Sequence, residues 1–385
     1  MRQHHALVAG IRRLTLEGSS GFVGATTVNV VGSSFVRAFH ALSSSAARNL
    51  ISLDSQRDAV VVSSDVEGAA ASFLQSTLTN DVVATMVDSP RPSNGRLLYA
   101  HMLNSKGRYT ADVFVYGLGK GEESGGGDDR GNDRGDRVKS MGARDVLVID
   151  VAKESKEQLM KVLRMYSMRS AVRIEDGGDE FVVCASLNGD MEGGRFAAFC
   201  EDPRAKGALG YRGLVRRASQ HGFLETLAGD EEAVRASYTK LRLSLGLAEG
   251  PREIPVGSVA LEYNLDGMNG ISFNKGCYIG QELMARTHYQ GQIRKRLVPF
   301  RIEESAADNG VGRAVYDEEI IGDDGKSVGV VRADSVDGYG IGLMRLAKVF
   351  GKEGRGGRRL RLAQSGLRIE AYAPAWWPKE WTVGY

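Results

Sequence analysis

Cysteine is scarce in this chain: Cys184, Cys200 and Cys277 are the only three among 385 residues, and no two form a CxxC pair. That count argues against a disulfide-stapled secreted scaffold and a self-contained zinc site, and it points to a reducing compartment. An iron–sulfur cluster ordinarily takes four thiolates, so three scattered cysteines do not hold one unaided. Histidine is also sparse, with only His101, His221 and His288 beyond residue 49. Long apolar runs are missing as well. The stretch "GFVGATTVNVVGSSFV" is interrupted by Gly24, Thr26, Thr27, Asn29 and Gly32, whereas a membrane span needs about 20 largely apolar residues and a secretory signal needs a continuous apolar core.

Acids are nearly absent from the first 49 positions, where Glu17 faces Arg2, Arg12, Arg13, Arg37 and Arg48 and no lysine occurs. With its many serines and threonines, this segment has the composition of an organellar transit peptide. It is assigned to residues 1–48, with "RAFHALSSSAARN" as a processing region and the mitochondrial matrix as destination. Removing five positive charges and one negative from a formal total of +2 leaves a body near −2. A slightly acidic body argues against a dedicated nucleic-acid binder, whose affinity rests on many phosphate contacts.

What remains is 42% hydrophobic and 25% charged over the whole chain, enough for two or three compact units. "AVVVSSDVEGAAASFLQSTLTNDVV" reads as strand, turn and helix, with Phe73, Leu74, Thr77 and Leu78 at helical spacing. "GRLLYAHMLN" and "GRYTADVFVY" read as a hairpin across "SKG", and alternation at Tyr109, Ala111, Val113 and Val115 predicts a sheet covered on one face. Residues 117–144 hold nine glycines and almost no large apolar side chain, which predicts a solvated insertion. "DVLVIDV" returns as a strand. "KESKEQLMKVLRMYSM" follows as a helix with Leu159, Val162, Leu163 and Tyr166 on one face. Cys184 is expected inside a strand and Cys200 at the end of an apolar helical pattern, both as buried structural thiols. "EEAVRASYTKLRLSLGLAEGP" predicts a helix closed by Gly250 and Pro251. After Leu297, short strands between Gly and Asp turns have the pattern of a small antiparallel barrel. The fold class is α+β.

The most chemical stretch is "NKGCYIGQELMARTHYQGQIRKRL". Gly276 and Gly280 bracket Cys277, and a helix is predicted from Gln281, with Glu282 and Arg286 four residues apart. Unpaired N–H groups at a helix start, and Lys275 if its ammonium points inward, would favour a thiolate. A thiolate is a nucleophile and a soft-metal ligand, yet a free cysteine in a tight turn also serves as a small filler. His288 lies eleven residues on, about 10 Å or more along the helix, which leaves a Cys–His dyad weak. The run Arg294, Lys295, Arg296 reads either as a solvated strand edge or as a surface for an acidic partner.

These residues, with "FLQSTLTNDV", "KGRYTADVFVYG", "LRMYSMRSAVRIED", "DPR", "LGYR", "RLSLGLAEGP" and "ALEYNLDGMNGISF", closely resemble the YgfZ/IBA57 family, relatives of the glycine-cleavage T-protein. The arginine-rich leader points to its mitochondrial branch. The resemblance implies a T-protein-like fold with three subdomains around a central cavity, two of them interleaved α+β units within residues 49–295, and a β-barrel at 296–385. It also implies maturation of [4Fe–4S] proteins with ISCA-type (ISCA1/ISCA2) assembly partners. Cys277 would be the functional residue and ligand of a shared [2Fe–2S] cluster, with Lys275, Gly276, Tyr278, Gly280, Gln281, Glu282 and Arg286 shaping its site. Glu262, Asp112 and Asn80 would be folate-pocket candidates for tetrahydrofolate. One departure stands out: T-proteins carry two adjacent aspartates where this chain has Ala111-Asp112, which weakens the alternative of a folate-dependent aminomethyl transferase.

Overall fold

A computed structural model describes residues 50–89, 94–118, 145–187, 196–218, 231–303, 312–351 and 360–383. The expected transit peptide, and residues 119–144 of the glycine-rich insertion expected at 117–144, lie outside the described residues, while Gly117 is the last residue of a strand. The chain enters through β1 (Leu50–Ser52) and β2 (Arg57–Ser64), followed by α1 (Ala69–Gln75). The expected hairpin forms as β3 (Arg96–Leu103) and β4 (Tyr109–Gly117), paired antiparallel from Arg96 opposite Gly117 to Leu103 opposite Tyr109. Then come β5 (Asp145–Ala152), α2 (Lys153–Ser167) and β6 (Arg173–Asp176). These strands make a five-stranded sheet in the order β3-β4-β5-β2-β6.

Both faces of this sheet are buried, not one. Along β2, Val60 and Val62 join a cluster with Leu74, Val113, Ile149 and Leu163 beneath α1 and α2, while Val61 points the other way with Tyr99, Phe114 and Val148. The period-2 alternation thus divides side chains between two cores and does not separate core from water. On α2, Leu159, Met160 and Leu163 are buried, but Tyr166, one turn beyond Leu163 at the end of the helix, is 43% exposed.

The second core is closed by β7 (Phe181–Ser186), β8 (Ala198–Glu201) and β9 (Tyr211–Arg216), which form a four-stranded sheet in the order β1-β7-β9-β8. Cys184 is buried in β7 as expected; Cys200 is buried in a strand, β8, and not at a helix end. Its run "AAFC" is too short for length to separate helix from strand.

Helix α3 (Glu231–Ser244) ends at Ser244, followed by Gly246 at φ +71°. Gly250 and Pro251 do not close it but begin the short helix α4 (Gly250–Glu253), where proline occupies a first-turn position whose N–H would have no partner within the helix. After α5 (Gln281–Gln290) the chain enters β10 (Lys295–Ile302), β11 (Glu319–Gly322), β12 (Ser327–Val331), β13 (Tyr339–Arg345), the short α6 (Leu346–Val349), β14 (Leu360–Leu362) and β15 (Arg368–Ala371). The six strands close as β10-β13-β12-β11-β14-β15, with β15 pairing back onto β10. Closure leaves the barrel no exposed edge. Among the described residues no helix is long and apolar enough to cross a membrane.

Candidate functional site

Cys277 sits at the apex of a short arch between two anchors. On one side, the Ile279 N–H donates to the Ser76 carbonyl at 3.1 Å. On the other, Lys275 Nζ donates to the carbonyls of Gln75, Leu78 and Asn80 at 2.6, 2.8 and 2.7 Å. The arch is therefore docked on the turn that follows α1. Tyr278 is half-buried, its ring 5.0 Å from Lys275 Nζ, and burial pushes its hydroxyl up to about 12. Burial lowers the Lys275 ammonium to about 8, opposed by Asp81. The Lys275 charge is directed at backbone oxygens and not, as the sequence allowed, toward the thiol.

The glycines that bracket the cysteine differ. Gly280 has φ +80°, and a Cβ there would lie 2.5 Å from the Asn104 carbonyl oxygen, so only glycine fits. A Cβ on Gly276 would meet nothing within 4 Å. Gln281, at the start of α5, accepts the Tyr278 N–H through Oε1 at 3.2 Å. Glu282 lies in the first turn of α5, where its charge already complements the helix dipole. Glu282 and Arg286 are both exposed, and no ion pair joins them among the described residues.

The Cys277 thiol is exposed, whereas Cys184 and Cys200 are buried with their thiols pushed up to about 12 by burial. His288 stacks on Phe273 with ring centroids 3.7 Å apart, His101 is buried within β3, and His221 lies outside the described residues. No group of three or more His, Cys, Asp or Glu able to hold a metal occurs among the described residues.

Two of the three folate-pocket candidates are committed elsewhere. Asn80 donates to the carbonyls of Tyr99 and Asn269, at 2.8 and 2.7 Å, and accepts the Asp81 N–H. Asp112 is 1% exposed. Its Oδ2 pairs with Arg57 at 2.8 Å, and its Oδ1 accepts from Tyr109 Oη and the Gly250 N–H, each at 2.9 Å. Burial alone would raise this carboxyl, but the Arg57 guanidinium outweighs it and holds the group below its ordinary value. Asp112 is thus a structural ion, not a free anchor on a cavity. Glu262, in a 3-10 turn at Ala260–Tyr263, is half-buried, and burial raises its carboxyl against the pull of Lys295 and Arg108.

Asp112 belongs to a larger buried network that the sequence did not announce. Asp150 of β5 pairs with Arg57 at 2.5 Å and with Arg212 of β9 at 2.7 Å. Arg212 and Arg204 meet at Glu249, at 3.2 and 2.7 Å, and Arg204 also pairs with Asp202 at 2.7 Å. Three guanidiniums face the Phe114 ring, that of Arg212 at 3.9 Å, Arg204 at 4.7 Å and Arg57 at 5.5 Å. The network ties the two sheets and the approach to α4 together. Its signal was the charged residue inside an apolar strand, as in "DVLVIDV" and "GYRGLV".

Arg296 is buried as well. It grips Asp266 with two bonds of 2.9 and 2.8 Å, donates to the Leu261 carbonyl, and lies 3.2 Å over the Trp381 ring. It is a structural clamp, so of the basic run only Arg294 is fully at the surface. A separate cleft of about 400 Å³ lies between α3 and the barrel, lined by Lys240, Arg301, Asp337 and Tyr339, and no residue of the cysteine motif borders it.

Comparison with known proteins places this geometry. A family model described as the CAF17 C-terminal beta-barrel domain matches residues 294–379. The crystal structure of glycine cleavage system aminomethyltransferase T from Bartonella henselae matches with a TM-score of 0.58 over 89% of both chains, at 11% sequence identity, which speaks to the fold alone. The iron–sulfur cluster assembly factor IBA57, mitochondrial, of Mus musculus is 32% identical over 324 residues, 80% of this chain and 81% of the mouse protein. Its Homo sapiens counterpart is 30% identical over 321 residues, again 80% of this chain and 81% of the human protein. The chain belongs to the IBA57 family, whose named members are mitochondrial iron–sulfur cluster assembly factors.

Proposed function

We propose that this protein is a mitochondrial iron–sulfur assembly factor in which Cys277 supplies one ligand to a [2Fe–2S] cluster shared with an ISCA-type protein, on the way to [4Fe–4S] clients. The observation that carries this reading is the contrast among the three cysteines: one exposed at the apex of an anchored arch, two sealed in strands. Thiolates are the ordinary cluster ligands, and Cys277 belongs to no group of three or more potential metal ligands among the described residues. The cluster is then cargo, held between two chains. Mixing this protein with an apo ISCA-type protein, iron and sulfide under reducing, anaerobic conditions should give a visible-absorbing heterodimer, and Cys277→Ser should give none. A Cys277→Ser variant that assembled the same chromophore would overturn the assignment.

A second reading, tetrahydrofolate binding and aminomethyl transfer, has one observation behind it. Glu262 is half-buried and its carboxyl is raised, a suitable state for a pterin N–H to meet. Asp112 and Asn80 are saturated internally, and one carboxyl does not make an acid–base pair, so no transfer step follows from this site. Titration of tetrahydrofolate monitored by intrinsic fluorescence decides it: binding lost in Glu262→Gln supports a folate site, and no binding to the wild type ends this reading.

A further inference from the structure

The Lys275 ammonium has three donors, and all three are used on carbonyls, at 2.6, 2.8 and 2.7 Å. One of those carbonyls belongs to Gln75, the last residue of α1, where a helix leaves its oxygens unpaired and its dipole favours a cation; the other two belong to Leu78 and Asn80 in the turn beyond it. Asp81 is the charged group that acts on Lys275, yet no carboxylate lies within ion-pair distance of it among the described residues. Asp81 Oδ1 instead accepts from Gln75 Nε2 and the Ala84 N–H, each at 3.0 Å. A strut that needed only bulk would be better served by an apolar side chain of the same length, since a partly buried cation without a counter-ion is costly. The ammonium is therefore kept for what its three diverging N–H groups do: they bind the arch to three separate points of one turn.

Cys277 is two residues from this anchor and two from the Ile279 anchor. Resting on the cluster-ligand reading of Cys277, we propose that Lys275 is a positioning residue: its carbonyl-chelated ammonium fixes the near limb of the arch so that the thiol projects outward, without acting on the thiol's own charge. Arginine is a poor substitute, because a planar fork cannot direct three bonds at carbonyls that surround a point. Ser272, whose N–H donates to the Thr79 carbonyl at 3.1 Å, and Ile279 report whether the arch stays docked.

The test uses the full chain as wild type, Lys275→Met, Lys275→Arg and Lys275→Ala, each checked for native far-UV circular dichroism. Hydrogen exchange at the Ser272 and Ile279 amides should quicken about tenfold or more in all three variants, while the β2 and β5 amides keep their wild-type rates. Chromophore formation with the ISCA-type protein, iron and sulfide should fall by the same order in Lys275→Met and Lys275→Arg. Methylammonium, occupying the vacated cage, should restore it in Lys275→Ala. Alkylation of Cys277 by iodoacetamide should keep its wild-type pH profile throughout. Wild-type exchange at Ser272 and Ile279 in Lys275→Met overturns the anchoring, as does full chromophore in Lys275→Arg; a shifted alkylation profile shows that Lys275 acts on the thiol instead. A wild-type mixture that stays colourless sinks the cluster reading alone, and the exchange rates still decide the anchor.

Discussion

Asp150 lies between Ile149 and Val151 in a strand whose other charged residue is Asp145 at its first position, and it is 0% exposed. Such an ion persists only if other groups compensate for its lost hydration, and Arg57 and Arg212 do so from opposite sides. Asp150→Asn leaves two guanidiniums short of charge in a sealed core. We expect a loss of about 3–5 kcal/mol in urea unfolding, and a loss under about 1 kcal/mol would show that the network contributes little. The sequence displayed every member of this network but not its pairings. Arg57 and Asp112 are 55 positions apart, and only the β2–β5–β4 register brings them together. The resemblance to T-proteins made Asp112 a pocket candidate, whereas its pairing with Arg57 and the bonds it accepts from Tyr109 and Gly250 belong to the fold.

At the scale of elements, the arch depends on the β3–β4 turn against which α5 begins. Gly107 has φ +73°, and a Cβ there would lie 2.5 Å from Leu283 Cβ and 2.7 Å from the Gly280 carbonyl oxygen. Gly107→Ala must either strain the turn or push α5 away. A destabilisation of about 2–3 kcal/mol should accompany loss of the shared chromophore. Gly276→Ala is the contrast: with open space around it, calorimetry should place it within about 0.5 kcal/mol of wild type. The two glycines around Cys277 looked equivalent in the sequence, which records a residue type but neither its φ nor its neighbours. Periodic features fared better. The β3–β4 hairpin, α2 and the barrel strands were legible because alternation and helical spacing are local, whereas "AAFC" carried too little pattern to be told from a helix.

For the whole molecule, the two sheets share one polar joint, and its histidine sets how acid affects the fold. His101 is buried, with Nε2 2.9 Å from Tyr99 Oη and its ring 5.0 Å from that of Tyr109. Burial lowers it from its ordinary value to about 4, although Asp112 pulls upward. Between about pH 6.5 and 4 the unfolded chain therefore takes up a proton that the folded chain refuses, so stability falls as pH drops through that window. Asp112 and Glu249 are held below the ordinary carboxylate value. Their contribution is present above the unfolded carboxylate range and is lost only as pH falls further. From pH 7 to 4.5 the His101 contribution amounts to about 2–3 kcal/mol. Urea unfolding at steps across this range should show that slope in the wild type, and His101→Gln, whatever its own cost, should flatten it. An equal slope in the variant would move the acid sensitivity to another group and leave the buried joint neutral to pH in this range.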